Sequence, residues 1–282
     1  MARWTVERVA RRGARSASGR FAMRVARDLG RMQFVDRGMT LAAHAFTAIL
    51  PILIVAGAVR ASLSPESGPI FAEHLGLNSV TAEILQKSLP GGAQELRATG
   101  VIGVVLLVIA ATSFSRALER TLHTIWHTPP AGIRFGWRWV AGIVIVVVGI
   151  GLVVAARTIL RGDGVIPLLE FITEAAIWST LWWVTSWIVI DRLVSLRDLL
   201  PGSLLAGVGF AAAGVVGRLF LPPILADSAM RFGVLGMAFT YIGWLLVLSC
   251  ILLIAVTVGR TASLTLAGRA WRRSSGVPHT GR

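Results

Sequence analysis

The run YIGWLLVLSCILLIAVTVG, residues 241–259, carries no charged side chain. At about 1.5 Å per residue it is long enough to cross the roughly 30 Å hydrocarbon core of a bilayer as a helix. Backbone placed in hydrocarbon must satisfy its own N–H and C=O groups, so a chain with several such runs is confined to a helical bundle. Six runs occur, near residues 39–61, 98–122, 138–160, 168–190, 200–221 and 233–259. The third, WVAGIVIVVVGIGLVVAA, and the sixth are the clearest. The expected fold is therefore all-α and polytopic. A basic arm occupies residues 1–37, a six-span membrane domain residues 38–260, and a basic tail residues 261–282.

Composition points the same way. Hydrophobic residues make up 55% of the 282 and charged residues 15%, with a mean hydropathy of +0.72, which suits lipid better than water as the solvent. The net charge of +14 comes almost wholly from arginine, which supplies 27 of the 28 cations. That balance suits nucleic acid or an anionic membrane surface, and the positions of the arginines decide between them. The arm, the second-to-third loop (Arg116, Arg120, Arg134, Arg138), the fourth-to-fifth loop (Arg192, Arg197) and the tail with the adjoining Arg260 together hold 21 of the 28 cations. They all fall on one side if the spans alternate. The positive-inside rule then places both termini in the cytoplasm, with the first span an uncleaved signal anchor. No recognition module accompanies the arginines, so nucleic acid is not expected as a partner. The single cysteine, Cys250, excludes an intramolecular disulfide and a cysteine-based metal cluster.

In the arm, Phe21, Val25, Leu29, Met32, Phe34 and Val35 recur at helical spacing while Arg24, Arg27 and Arg31 lie off that stripe. This predicts a basic amphipathic helix, either in the headgroup plane or packed on the protein's own cytoplasmic face. Residues 1–19 and 272–282, rich in Arg, Ser and Gly, have a disorder-type composition. The outer loop, residues 62–97, has turn residues at both ends and apolar residues at helical intervals between, which reads as one or two short capping helices.

Several features bear on packing and chemistry. Pro51 predicts a kink in the first span rather than its end, and Gly209, Ala213 and Gly217, with Ala206 beside them, form a small-residue ridge for close helix contact. Trp178, Trp182, Trp183 and Trp187 are too deep in the fourth span for all to be an interfacial belt; they line a cavity or fill the core. Glu119, His123 and His127 share a helix face at metal-ligand spacing, but one helix supplies no fourth ligand. The same stretch sits at a cytoplasmic helix end where the dipole favours cations, so no metal or other cofactor is assigned. Polar groups expected at depth, and hence on any substrate path, are His44, Ser113, Ser115, Arg116, Arg157, Thr185 and Ser186. Glu170 and Glu174 add an acidic pair at the outer end of the fourth span, which reads either as a proton- or cation-sharing pair or as solvated helix-start carboxylates.

Four stretches resemble the YihY/BrkB family of bacterial inner-membrane proteins. GVIGVVLLVIAATSFSRALERTLHTIW is similar to that family's second span, and LAAHAFTAILPILIV to its first through Ala45, Phe46, Leu50 and Pro51. LLPGSLLAGVGFAAAGVVGRLF resembles the fifth span's Pro-Gly opening through Pro201 and Gly202. RFGVLGMAFTYIGWLLVLSCILLIAVTVGR resembles the sixth through Phe232, Gly233, Gly236 and Trp244. The resemblance implies six spans and a transport role, including movement of lipid-like molecules, with membrane lipids as partners and an amphiphile or lipid as substrate. A ribonuclease label once attached to the family does not suit this chain. Its cytoplasmic acids, Glu7, Asp28, Asp36, Glu119, Asp191 and Asp198, are scattered rather than clustered as metal-assisted hydrolysis requires. Without such a cluster no enzyme activity is expected, and without a nucleotide-binding loop any uphill transport needs ion coupling or a partner protein. The other reading is a non-transporting scaffold whose basic arms recruit anionic lipid or a cytoplasmic partner.

Overall fold

The computed structural model describes residues 16–63, 93–129, 145, 148–149, 151–157 and 167–274. The expected capping helices of the outer loop lie almost wholly outside these residues, as does most of the third run. What is described is all-α: α1 (Ala17–Arg31), α2 (Phe34–Leu63), α3 (Ala93–Trp126), α4 (Pro167–Val189) and α5 (Leu196–Ser274), with a further helical stretch over residues 151–157.

α1 starts where Ser16, in an extended conformation, accepts the Gly19 N–H through its hydroxyl at 3.0 Å. It stops because Gln33 takes a left-handed φ of 52°, while the Met32 N–H returns to the Asp28 carbonyl. Helix therefore begins within the stretch of disorder-type composition at residues 1–19, because the cap makes up for poor propensity. Val25 and Met32 are buried, Met32 sulfur meets the Thr257 hydroxyl at 3.8 Å, and Asp28 faces Arg260 at 3.9 Å. Val25 and Met32 of the stripe read in the sequence thus dock on the far end of α5, while Val35 is 50% exposed and Arg20, Arg24, Arg27 and Arg31 are left exposed.

α2 runs through Pro51 without ending. α5 departs most from expectation. The fifth and sixth runs leave residues 222–232 between them, yet the helix continues through Pro222 and Pro223 there and breaks only at Gly233 (φ 59°, ψ −142°). Charges and prolines near a membrane surface are compatible with helix, whereas reversal needs a backbone conformation that a Cβ forbids. The helix also passes the expected domain boundary at residue 260 and reaches Ser274.

Beyond Gly233 the helix folds back on its own first arm. Gly217 faces Trp244, Gly209 faces Ile251, and Gly202 meets the backbone of Val256 and Gly259. The ridge predicted from Gly209, Ala213 and Gly217 is half of this antiparallel seam, with Ala206 and Ala213 buried beside it. Gly236 closes the turn against the Ser228 carbonyl, and the Ser228 and Thr240 hydroxyls bond at 3.0 Å. A Cβ at Gly233 meets nothing within 4 Å, so Gly233→Ala tests backbone conformation alone. We expect it to cost about 1–3 kcal/mol in detergent unfolding; an unchanged midpoint would mean the bend is not confined to that residue.

A second antiparallel pairing joins α4 to the first arm. The connection turns through two left-handed residues, Asp191 and Arg192, whose guanidinium lies 4.5 Å from the centre of the Trp187 ring. Ser195 then caps α5, accepting the Asp198 N–H and donating to its carboxylate at 2.6 Å. The Trp residues of α4 fill the core: Trp182 is buried, Trp178 and Trp182 each lie within 5.3 Å of Phe210, and Trp183 donates to the Leu196 carbonyl at 2.8 Å. A crevice of about 460 Å³ lies elsewhere, at the bend of α5, between Phe232, Leu235, Phe239 and the Ser228–Thr240 pair.

The buried core gathers at one end, around Leu41, Leu122, Ile190, Leu199, Leu253 and Val256. Toward the other end, α3 exposes Val101, Ile102, Val104, Val105, Val108 and Ile109. Exposed apolar surface on this scale is untenable in water and natural against lipid. By length and composition, two helices among the described residues can cross a membrane, Val101–Trp126 and Leu196–Leu266. The second is 71 residues long and turns at Gly233, so each of its arms exceeds the roughly 20 residues that one crossing needs.

Candidate functional site

α4 begins at Pro167, whose fixed φ and missing N–H fit a first helical turn, and Glu170 and Glu174 follow one turn apart. Only the first keeps the expected character of a helix-start carboxylate. Glu174 is 1% exposed, sealed between α4, the first arm of α5 and the helical stretch at 151–157. Arg157 grips it with two N–H groups, Nε to Oε1 at 2.6 Å and Nη2 to Oε2 at 3.1 Å. Arg218 Nη1 donates to Glu174 Oε1 and to Glu170 Oε1, each at 2.9 Å. Two arginines and two glutamates thus form a neutral quartet in which Glu174 accepts three charge-assisted bonds and Glu170 one.

A glycine makes the quartet possible. Gly214 lies one turn before Arg218, and a Cβ there would stand 3.3 Å from Glu174 Oε2 and 3.4 Å from Arg157 Nη2. Two turns earlier, Gly207 lets the first arm of α5 approach Ser179 and the Ala175 carbonyl. Gly207 and Gly214 therefore form a second small-residue stripe, facing α4, where the first faces the returning arm.

The remaining polar positions are distributed along the helices. Thr185 and Ser186 are buried on the same side of α4 as Glu174 and Ser179. Ser115 is buried on α3, Ser113 and His44 are half-buried, and Arg116 is exposed. The structure therefore joins Arg157, Glu170 and Glu174, and leaves His44, Ser113, Ser115 and Arg116 on α2 and α3. Glu119 and His123 approach to 3.8 Å, but His123 Nδ1 bonds the Thr128 hydroxyl at 2.6 Å. His127 follows the helix end with a left-handed φ of 54° and turns its ring to the Ile125 carbonyl. Among the described residues no three His, Cys, Asp or Glu side chains are grouped to hold a metal.

Arg218 was missed in the sequence because an arginine closing an apolar run reads as an interfacial anchor. The signal that finds it is depth. Arg157 and Arg218 both fall near the C-terminal ends of their runs, which is the level at which Glu170 and Glu174 open α4 when successive runs alternate in direction.

A comparison with curated proteins and one with solved structures return no match. A family model does match, and it spans the amphipathic arm, the quartet and both arms of α5: residues 25–274 fit that of the virulence factor BrkB, so the chain belongs to the BrkB family.

Proposed function

We propose that this protein is a six-span bacterial inner-membrane transporter or lipid-handling protein, with both termini cytoplasmic and no enzymatic role. The observation that carries the reading is the quartet. Four ionised groups in a bundle whose outer surface is apolar are costly to place, and such groups mark substrate or ion paths in membrane proteins. The buried polar face of α4, from Glu174 through Ser179 to Thr185 and Ser186, supports it by continuing from the quartet toward the other end of the helix. The exposed apolar faces of α3 and α5 support lipid as the solvent.

The test is leaflet exchange of labelled bacterial lipids in proteoliposomes, comparing the wild type, Arg218→Gln, Arg116→Ala and empty vesicles. Protein-dependent exchange that falls at least tenfold in Arg218→Gln is the expected result; exchange equal to that of empty vesicles would count against lipid movement. The exposed row Arg20, Arg24, Arg27 and Arg31 on α1 favours a second reading, a scaffold that recruits anionic lipid or a partner. Replacing those four by Gln while keeping Val25 and Met32 should disable a scaffold and spare a transporter.

A further inference from the structure

Glu170 and Glu174 hold the same arginine on unequal terms. Glu174 is sealed and three times bonded; Glu170 is 25% exposed and makes one ion pair, at 2.9 Å. Arg157 and Arg218 are 27% and 31% exposed. Neither spends all its donors: Nη1 of Arg157 and both Nε and Nη2 of Arg218 have no partner among the described residues. If Glu170 withdraws, what remains is Arg157, Glu174 and Arg218, with a net charge of +1 and two guanidiniums held in place by a carboxylate that cannot leave.

We propose that Glu170 is a built-in stand-in for a phosphate group, and that a phosphate-bearing amphiphile displaces it from Arg218 to bind the free N–H groups of Arg218 and Arg157. A phosphodiester carries one negative charge, which matches the +1 of the remaining triad, and guanidinium donors in a fork suit its paired oxygens. The source is a lipid rather than free phosphate, because the same turns of the two helices expose large apolar side chains where acyl chains lie. Leu168, Leu169 and Ile172 flank Glu170, and Leu219 and Phe220 follow Arg218, all between 48% and 66% exposed. When no ligand is present Glu170 balances the +1 of the triad, so that no uncompensated charge is left in a largely apolar bundle. This inference takes its ligand class from the transport reading and is tested by binding alone.

The experiment is native mass spectrometry of the full chain in detergent, titrated with phosphatidylglycerol, with diacylglycerol and with inorganic phosphate. Glu170→Gln removes the competitor and should bind phosphatidylglycerol about fivefold more tightly, roughly the loss of one part-exposed charged hydrogen bond. Arg218→Gln should bind it at least tenfold more weakly, and diacylglycerol should respond to neither. Asp227→Asn is the charge-matched control: it frees Arg231 from an exposed pair, adds the same charge, and should change nothing. The proposal is overturned if Glu170→Gln binds no more tightly than wild type, or if Asp227→Asn tightens binding equally. A pattern seen with inorganic phosphate and not with the lipid overturns the lipid source. Should Arg218→Gln fail to fold, Glu170→Gln decides the question, since it removes only the single exposed bond. Tightened binding without leaflet exchange would sink transport and leave the site standing; exchange with unaltered binding would do the reverse.

Discussion

Replacing Glu174 by Leu is expected to lower stability by about 3 kcal/mol, the lower end of the range for breaking a buried ion pair by removing one partner. The carboxylate is 1% exposed, and its loss leaves Arg157 without either bond it makes among the described residues. The lower end applies because both guanidiniums are about three-tenths exposed and water recovers part of the penalty. Glu174→Leu combined with Arg157→Leu should recover much of the loss, since replacing a whole buried pair by apolar groups is often close to neutral. Unfolding in mixed micelles, run as a double-mutant cycle, measures this. A single-variant cost under about 1 kcal/mol, or no recovery in the double, would show that the pair is not sealed from water. A large coupling between Glu174 and Arg157 alongside a small one between Glu170 and Arg218 is the signature of a fixed anchor beside an exchangeable arm.

The second large effect belongs to the seam of α5. A Cβ on Gly259 would overlap the backbone of Gly202 and stand 3.2 Å from the carbonyl carbon of Pro201. Backbone cannot swing aside as a side-chain tip does, so the two arms must part. Gly259→Val is therefore expected to cost about 3 kcal/mol or more, at or beyond the upper end of ordinary overpacking. Gly243→Ala, where nothing lies within 4 Å, should instead be neutral or stabilising by up to about 1 kcal/mol, because Ala is the better helix former. Thermal unfolding of the two variants side by side separates the seam from glycine's intrinsic cost. Equal midpoints would mean that the arms are not in backbone contact at Gly202.

Much of the helical layout was legible because hydrocarbon imposes one rule along the whole chain. The runs at 39–61 and 98–122 fall within α2 and α3, that at 168–190 matches α4 to one residue, and those at 200–221 and 233–259 coincide with the two arms of α5. The ridge of Gly209, Ala213 and Gly217 was legible for the same kind of reason, a period matched to one helix face. The helical character of residues 222–232, between the two arms, was not legible because hydropathy reports solvent and not chain direction. Pro222, Pro223 and Asp227 stay in helix, and only the φ of Gly233 turns it. The Trp residues of α4 were ambiguous by composition, since a ring facing a cavity and a ring facing Phe210 have the same spacing.

By itself, then, the sequence determined the all-α class, an apolar surface that demands lipid, the basic stripe of α1 and the family, because each depends on residue type and period along one helix. Only the tertiary structure decided which charges meet. Glu170 and Glu174 look equivalent at i and i+4, and what separates them is Arg157, arriving from a helical stretch 17 residues upstream of Glu174, and Arg218, from one 44 residues downstream. Pairing across helices depends on which faces pack and how closely. Gly207 and Gly214 set that distance, and no period within α4 encodes it.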